Sequence, residues 1–545
     1  MKQGLTRRDL LELVGKTTLA ARLYPIPAFG ESTPMFNGHT VLFDAQGKIL
    51  PWAPAKQNPY DYFLRLRWDF IKTKVPMCPG PAPRSSYPQY YFYCAFWDRN
   101  GKLEPDTWMN DVAEKVPNWF ESARLYYAYT GDASVMTIAQ KLVDYSIDHG
   151  TSPASFAWPN FPYTTTNAGD MEFRGFTTSK RFALHETQVG YGGDMGLTYY
   201  RMYLYSGDEK HLTAAIHVAD TLAAKVRTGT STQSVWPDRV VMDTGKITAD
   251  YGAHFAGCYM LLDQLIRGNH GEVAAYKEAN AKVRDFLLQY PLRTGYWADG
   301  HTDADVNSNT YKSNTAASNF TLALFDYPEL DPGWRTSVPK LIEWTEQNFV
   351  FRGAPGEPGT QWGASVVGEQ DSFLFKMDYQ TARYAAECAR WYAVSHDEAY
   401  KEKAFRSLNW VTYCNSPDGQ GNESPLSKNI SNWWSDLYGE CPRMFYQAFA
   451  GVPEWAPAGE NHILYSDSVL KNVSYRAKQI RYTATQATGA DYLRVAFSPT
   501  QIELAGTKLV SVADGRVKGY TLRKIAESDY ALTINRMASG QVVIQ

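Results

Sequence analysis

Carboxylate side chains at the predicted starts of helices are the residues of this sequence best suited to chemistry. Three of them, Asp111, Asp194 and Asp378, are interpreted as catalytic. A carboxyl group donates a proton when burial or a nearby negative charge raises its pKa, and an ionised one activates water or attacks carbon. Hydrolysis of a glycosidic bond needs one group of each kind. An Asp at a helix start also caps the helix, so only two or three such carboxylates are expected to do chemistry.

Aromatic side chains are unusually frequent, with 37 Tyr, 25 Phe and 16 Trp among 545 residues. Tyr and Trp combine an apolar ring with a polar group and therefore suit a wet binding cleft. Trp236, Trp362 and Trp433 lie in or beside predicted loops, where their faces would stack on sugar rings. These three residues are therefore candidate binding platforms.

Two long insertions, residues 150–190 and 351–376, are rich in Gly, Pro, Asn and Thr. Loops of this length in a compact domain are usually functional. The first insertion contributes Arg174, whose guanidinium would pair with the carboxylate of an acidic sugar. The second contributes Glu369 and Asp371. All three are interpreted as substrate-binding residues.

A second set of residues suits a different reaction, β-elimination from a uronate. Tyr251 and His254 belong to a Tyr-Gly-Ala-His run at a predicted helix start, and Tyr311 with Asn314 opens the next inner helix. A tyrosine with a histidine would remove the proton next to the uronate carboxylate, and Asn314 with an arginine would neutralise that carboxylate. This set keeps a lyase open as an alternative.

The motifs of several other enzyme classes are missing. The sequence contains no GxSxG, P-loop, HExxH or EF-hand pattern, and the glycines of Gly190-Tyr191-Gly192-Gly193 miss the dinucleotide-binding register. The ten His are scattered, so no metal ion and no other cofactor are expected. The glycine run instead predicts close approach of the backbone to a ligand beside Asp194.

The charge balance and hydropathy exclude two kinds of partner. With 54 Lys+Arg against 57 Asp+Glu the net charge is −3, which gives no basic footprint for nucleic acid. No stretch reaches eighteen apolar residues, so no membrane insertion is expected. The oligomeric state is not determined by the sequence.

The elements that must position these residues are pairs of helices. In each pair an inner helix, apolar almost all round as in GLTYYRMYLY, precedes an amphipathic outer helix that covers it. Inner helices of such a ring run parallel, so carboxylates at their starts gather at one mouth. The predicted pairs are 119–129 with 134–148, 194–205 with 209–226, 254–266 with 272–289, 311–324 with 334–349, 378–394 with 398–413, and 433–449 with the early helix 59–74.

The two ends of the chain differ from this helical part. Residues 1–30 contain Thr6-Arg7-Arg8 before a weakly apolar stretch, which is typical of a twin-arginine export signal and predicts a periplasmic or secreted protein. Residues 31–456 form the predicted catalytic toroid. Residues 457–545 alternate in hydropathy with period two between glycines and predict a small antiparallel β domain, sandwich-like, that packs on the toroid.

The string around Asp194 also resembles a known group of enzymes. Gly193-Asp194-Met195-Gly196 is followed by an aromatic helix, a Ser-Gly-Asp turn and a His-Leu outer helix. This is similar to the six-hairpin glycosidases, in particular the unsaturated glucuronyl and rhamnogalacturonyl hydrolases. Asp111, about twenty residues before Thr130-Gly131-Asp132, resembles the second active-site Asp of that family. The resemblance covers residues 105–230 best.

The sequence therefore predicts a mainly α protein, an (α/α)6 toroid of helical hairpins with a small C-terminal antiparallel β domain. The predicted function is hydrolysis of a glycosidic bond in an acidic, uronate-containing oligo- or polysaccharide, of inverting or hydration type, with Asp194 as acid or base. A polysaccharide lyase and a non-catalytic glycan-binding protein remain the alternatives.

Overall fold

The computed structural model describes residues 35–93, 109–176, 183–299, 312–352, 361–371, 376–422, 437–513 and 517–545. The predicted export signal at residues 1–30 lies outside these ranges, as do Tyr311 and Trp433. The helices of the toroid are α1 (Pro59–Thr73), α2 (Val112–Thr130), α3 (Ser134–His149), α4 (Val189–Ser206), α5 (Glu209–Lys225), α6 (Ala256–Gly268), α7 (Val273–Gln289), α8 (Asn314–Asp326), α9 (Trp334–Asn348), α10 (Asp378–Ser395), α11 (Glu398–Thr412) and α12 (Leu437–Gly451).

The six even-numbered helices form a closed inner ring. Helix α2 packs against α4, α4 against α6, α6 against α8, α8 against α10, α10 against α12, and α12 again against α2. Most described side chains of the inner helices are buried, whereas outer helices such as α5 and α7 bury one face only. The predicted (α/α)6 toroid of apolar inner and amphipathic outer helices is therefore confirmed.

Gly-Asp dipeptides join the inner helix to the outer helix in two of the hairpins, and each of the two residues has its own role. Gly131 and Gly207 end α2 and α4 in the left-handed conformation, with φ of 79° and 76°, which glycine adopts without a steric penalty. The following Asp serves the outer helix: the Asp208 carboxylate accepts a hydrogen bond from the backbone N–H of Lys210 at 2.9 Å. His396 and Asp397 repeat the arrangement between α10 and α11.

Two inner helices begin earlier than their sequence patterns predict. Helix α2 begins at Val112 rather than Trp119, and α4 begins at Val189 rather than Asp194. Pro117 and the glycines after Val189 disfavour helix locally, but both segments are buried on all sides and packing overrides their weak propensity. Asp194 consequently lies in the second turn of α4 and not at its start.

Short strands precede or connect the helices. They are β1 (Met35–Phe36), β2 (His39–Thr40), β3 (Asn110–Asp111), β4 (Thr165–Thr166), β5 (Glu186–Gln188), β6 (Arg239–Val241) and β7 (Lys246–Ala249). Strands β1 and β2 form a short hairpin, and its turn uses Asn37 and Gly38 with positive φ. Strand β3 pairs with β4, and β5, β6 and β7 form one antiparallel sheet beside the start of α4.

The C-terminal residues form two antiparallel sheets around their own core, as predicted. The strands are β8 (His462–Ser466), β9 (Leu470–Arg476), β10 (Gln479–Ala484), β11 (Thr488–Val495), β12 (Ile502–Leu504), β13 (Thr507–Lys508), β14 (Gly519–Lys524), β15 (Tyr530–Met537) and β16 (Gly540–Ile544). Their orders are β13-β12-β16-β10-β9 and β14-β15-β11-β8. The boundary predicted after residue 456 falls between α12 and β8.

The β domain covers the end of the ring where the inner helices finish. His462 Nδ1 lies 2.8 Å from the carbonyl oxygen of Tyr129, and the Arg124 guanidinium donates to the Ser466 carbonyl at 2.9 Å. Arg124 and Tyr129 belong to the last two turns of α2. The N-terminal ends of the inner helices therefore lie at the opposite end of the ring. None of the described helices is long and apolar enough to cross a bilayer.

The contact between α4 and α6 predicts a sharp intolerance of side chains at Gly190. A Cβ atom there would lie 1.9 Å from the carbonyl oxygen of His254. We expect Gly190→Ala to lower the free energy of unfolding by about 1–3 kcal/mol, because overpacking moves the backbone. The midpoint of urea unfolding measures the change.

The control for this variant is Gly207→Asn at the end of the same helix. A Cβ atom at Gly207 meets no atom within 4 Å, and Asn tolerates the left-handed conformation. The control is expected to unfold near the wild-type midpoint. Equal midpoints for Gly190→Ala and wild type would contradict the tight packing of α4 on α6.

Candidate active site

A cavity on the axis of the ring is lined by all six inner helices. Its walls carry charged side chains of both signs along most of the length of the helices. Tyr465 of β8 lines it as well, so the β domain closes one end. The charged lining residues are Glu114, Glu121, Arg124, Asp194, Arg201, His254, Asp326, Arg383, Glu440 and Arg443.

Asp194 forms an ion pair with His254 at the wall of this cavity. The Asp194 Oδ2 atom lies 2.8 Å from His254 Nε2. The other ring nitrogen, Nδ1, lies 3.3 Å from Oδ2 of Asp299. The side chains of His254 and Asp299 are buried, whereas that of Asp194 is 20% exposed. Asp194 is thus the member of this carboxylate–imidazole–carboxylate group that a ligand can reach.

His254 carries its proton at neutral pH. Burial lowers the pKa of His254, but the charges of Asp194 and Asp299 outweigh burial and raise the pKa from 6.5 to about 10. A protonated imidazole donates from both nitrogens, which matches a carboxylate on each side. The pair therefore places a fixed positive charge behind the reachable carboxylate of Asp194.

Tyr191 holds this group in position. Its ring stacks on the imidazole of His254 with centroids 4.1 Å apart, and its hydroxyl donates to Asp299 Oδ2 at 3.0 Å. Burial raises the pKa of Tyr191 well above 10, and the charges of Asp299, Glu114, Glu369 and Asp111 add to the effect. Four carboxylates from three separate parts of the sequence thus act on one phenol beside the cavity.

The glycine run before Asp194 serves helix packing rather than close approach to a ligand. A Cβ atom at Gly193 would lie 2.2 Å from Cys258 Sγ, and one at Gly192 would lie 2.3 Å from the Phe161 ring. Across the contact, a Cβ at Gly257 would lie 1.6 Å from Asp194 Oδ1. Glycines on both helices therefore bring α4 and α6 close enough for Asp194 to meet His254.

Two arginines lie on the part of the wall formed by α10 and α12. Arg383 pairs with Glu440 and donates to the side-chain oxygen of Asn319. Arg443, also at the cavity, has no hydrogen bond or ion pair within the described ranges, and its Nε atom is buried without an acceptor. Burial and then the charge of Arg383 lower the pKa of Arg443 to about 10.

The closed end of the cavity is a network of paired charges. Glu121 accepts hydrogen bonds from Arg124 and, at 2.6 Å, from Arg201. Burial raises the pKa of Glu121, but these two guanidiniums outweigh burial and lower it to about 2. Asp326 pairs with Arg390 at 2.9 Å and accepts a hydrogen bond from Tyr465. This end is therefore neutralised by the protein itself.

Of the other two predicted catalytic residues, neither lines the cavity. Asp111 is buried in β3, directly before α2. Asp378 is the first residue of α10 and pairs at 2.7 Å with Arg67, whose side chain is equally buried. Burial raises the pKa of Asp378 to about 6, although Arg67 opposes the shift. No sequence pattern indicated Arg67, which lies on the outer helix α1.

The predicted binding residues separate into three groups. His254 lines the cavity, and Glu369 lies behind it, accepting hydrogen bonds from Thr315 and Tyr379 at 3.1 and 2.9 Å. Asn314 bonds to Gln380 and Thr345 in the buried interior. The remaining described residues lie away from the cavity lining: Trp236 is fully buried and donates to Leu222, Trp362 packs on Phe36 and Phe43, Tyr251 stacks on Tyr296, and Arg174 and Asp371 are exposed.

Solved structures with the same ring of hairpins include a D-mannose isomerase. It matches with a TM-score of 0.50 and 10% identity over 71% of this chain and 96% of that chain. The chain has the six-hairpin glycosidase fold. Others are a family 76 glycoside hydrolase from a bovine Bacteroides thetaiotaomicron strain (TM-score 0.46, 13% identity, 73% and 78% covered) and an unsaturated glucuronyl hydrolase specific for heparin (0.43, 10%, 72% and 95%).

The resemblance predicted from the residues around Asp194 is thus confirmed for the fold. At these identities the likeness extends to the fold alone. No family model matches the chain, and no curated protein matches it.

Several residues of this six-hairpin site were missed in the sequence. Asp299 follows α7 in a loop and has no motif around it. Arg443 stands in the apolar string YGECPRMFYQAF, where a single cation on an inner helix was the available signal. Glu114 also belongs to an inner helix, α2, whose apolar character drew attention away from it. No group of three His, Cys, Asp or Glu side chains is placed to hold a metal ion in the described ranges.

The protonated His254 predicts a loss of stability at alkaline pH. Its pKa is about 10 in the folded protein and about 6.5 in an unfolded chain. The stabilisation is therefore complete below pH 6.5 and is lost as the pH rises toward 10. Thermal unfolding of wild type and His254→Gln between pH 6 and 10 measures it.

The wild-type midpoint should fall over this range more steeply than that of His254→Gln. The two curves should converge at the alkaline end, because both proteins then lack the charge. Parallel curves would show that the two neighbouring carboxylates do not keep His254 protonated in the folded protein.

Proposed function

We propose that the protein is an exported glycoside hydrolase that cleaves a glycosidic bond in an acidic, uronate-containing oligo- or polysaccharide. The observation that carries the proposal is the reachable carboxylate of Asp194, backed by His254, at a cavity lined by further carboxylates and arginines. An enclosed site with opposite charges held apart suits the positive charge that develops on a sugar ring during cleavage.

Asp194 is the proposed base. It removes a proton from water as the water oxygen bonds to the anomeric carbon, and the bond from that carbon to the leaving oxygen breaks. Glu114, the buried carboxyl group on the α2 wall, is the proposed acid that gives its proton to the leaving oxygen. His254 is a positioning residue, because its charge and its hydrogen bond fix the orientation of Asp194.

Asp111 and Asp378 enter the proposal as positioning residues. The charge of Asp111 acts on Tyr191, which stacks on His254. Asp378 joins α10 to α1 through Arg67, and α10 in turn carries Arg383. Loss of either aspartate would therefore act on the cavity through a second residue.

A second function, β-elimination from a uronate, is favoured by the direct contact of His254 with Asp194. A carboxylate beside an imidazolium supplies both a proton acceptor and a proton donor, which elimination also needs. In that reaction the acceptor removes the proton next to the uronate carboxylate, and the donor protonates the leaving oxygen. The product carries a carbon–carbon double bond, which hydrolysis does not form.

Incubation with a panel of acidic and neutral glycans separates these functions. We expect new reducing ends without new ultraviolet absorbance, and we expect Asp194→Asn to lower the rate at least about a hundredfold, because the base is lost. Asp285→Asn, an exposed aspartate on the outer helix α7, is the matched control and should keep the wild-type rate.

Other outcomes identify the alternatives. New ends with new absorbance mean a lyase, and binding without new ends or absorbance means a glycan-binding protein. Full activity of Asp194→Asn would remove this residue from the mechanism.

Export is a separate part of the proposal and rests on Thr6-Arg7-Arg8. We expect the wild-type chain outside the cytoplasm of a bacterial host with a twin-arginine pathway, and the Arg7→Lys, Arg8→Lys double variant inside it. Immunoblots of cell fractions measure the distribution. Equal export of both chains would contradict a twin-arginine signal.

A further inference from the structure

The arginines of the central cavity are not equally satisfied. Arg124 and Arg201 share Glu121, Arg383 pairs with Glu440, and Arg390 beside the closed end pairs with Asp326. Arg443 is the exception among the described residues, since it has neither an ion pair nor a hydrogen bond there. Its Nε atom is buried without an acceptor although the guanidinium lines the cavity.

An unpaired guanidinium in this position is costly for the free protein. Burial of a charge without a partner destabilises a fold, and a second like charge adds repulsion. Both act on Arg443, because burial and the charge of Arg383 lower its pKa. The pKa of about 10 still leaves Arg443 protonated at neutral pH. The charges of Glu440, Glu121 and Asp194 offset these effects in part, but none of the three pairs with Arg443, so its guanidinium can bind an anionic ligand.

The position of Arg443 relative to Asp194 indicates where that anion belongs. The two side chains line the same cavity, and the charge of Asp194 acts on Arg443. They are nevertheless not paired, because Asp194 is bonded to His254. A ligand in the cavity would therefore meet a carboxylate on α4 and a guanidinium on α12.

We infer that Arg443 binds the carboxylate of an acidic sugar ring held in the cavity and so determines the preference for uronates. The planar guanidinium donates two parallel hydrogen bonds, which match the two oxygens of a carboxylate. This inference deepens the proposed function and rests on it for the sugar. It moves the task of binding the carboxylate from Arg174, which is exposed away from the cavity lining, to a residue of the inner ring.

The test uses the full chain and a binding measurement that needs no turnover. D-glucuronate, D-glucose and D-glucose 6-sulfate are titrated by calorimetry into wild type, Arg443→Met and the control Arg481→Gln, which changes an exposed arginine of β10. We expect wild type and control to bind glucuronate at least about tenfold more tightly than glucose, a preference of about 1.4 kcal/mol. Arg443→Met should bind both sugars equally weakly.

The midpoint of thermal unfolding is a second measurement. Replacement of an arginine that only supports the fold would lower this midpoint, whereas we expect replacement of Arg443 to raise it. Methionine keeps the apolar contacts of the stem and removes the unpaired charge, so Arg443→Met should raise the midpoint of thermal unfolding. A lower midpoint would mean that Arg443 holds the fold together and would overturn the inference. Arg443→Lys, which keeps the charge without the planar fork, should retain only part of the preference for glucuronate.

Three further results of the titrations would contradict the inference. An unchanged preference for glucuronate in Arg443→Met, tighter binding of the sulfate ester than of glucuronate, or no binding of glucuronate to wild type would each overturn the inference. Because free monosaccharides contain no glycosidic bond, these binding results do not depend on hydrolysis. Failure of the glycan panel with retained binding of glucuronate would contradict the proposed function alone.

Discussion

The contact of Asp194 with His254 depends on how closely two helices approach. Helix α4 carries the aspartate and α6 follows the histidine, and neither side chain is long. Glycines at the contact remove the Cβ atoms that would hold the backbones apart: one at Gly190 would meet the His254 carbonyl, and one at Gly257 would meet the Asp194 carboxylate. Glycine is a weak helix former, but at these buried positions it allows the close helix contact that brings Asp194 to His254.

The axis of the ring differs from an ordinary protein core because it is polar along its length. Charged side chains inside a fold are tolerated when each has a partner. The closed end meets this condition with Glu121 between two arginines and Asp326 beside Arg390, and the β domain completes it through Tyr465. The other part of the axis does not, since Arg443 has no partner in the described chain. The charges of the cavity are therefore balanced unequally, because those at the closed end are paired and Arg443 on α12 is not.

Much of the fold could be predicted from the sequence, because helix patterning and turn chemistry are local. The Gly-Asp dipeptides end one helix and cap the next, so the ends of the inner helices were predicted within a residue or two. The starts of α2 and α4 were not, because Pro117 and the glycines before Asp194 are helical only through packing. Asp194 was identified because its neighbours form a recognisable string.

The partners of the site could not be predicted in this way, because they come from distant parts of the chain. Arg67 and Asp378 are separated by 311 positions in the sequence. No local pattern predicts that an arginine of an outer helix will pair with a carboxylate at the start of an inner helix. Asp299 reaches His254 from a loop after α7 for the same reason. An aspartate on an inner helix therefore becomes a candidate catalyst only when its partner leaves it reachable. Asp194 and Asp378 are both held by a cation, but only Asp194 keeps a face of its carboxylate toward the cavity.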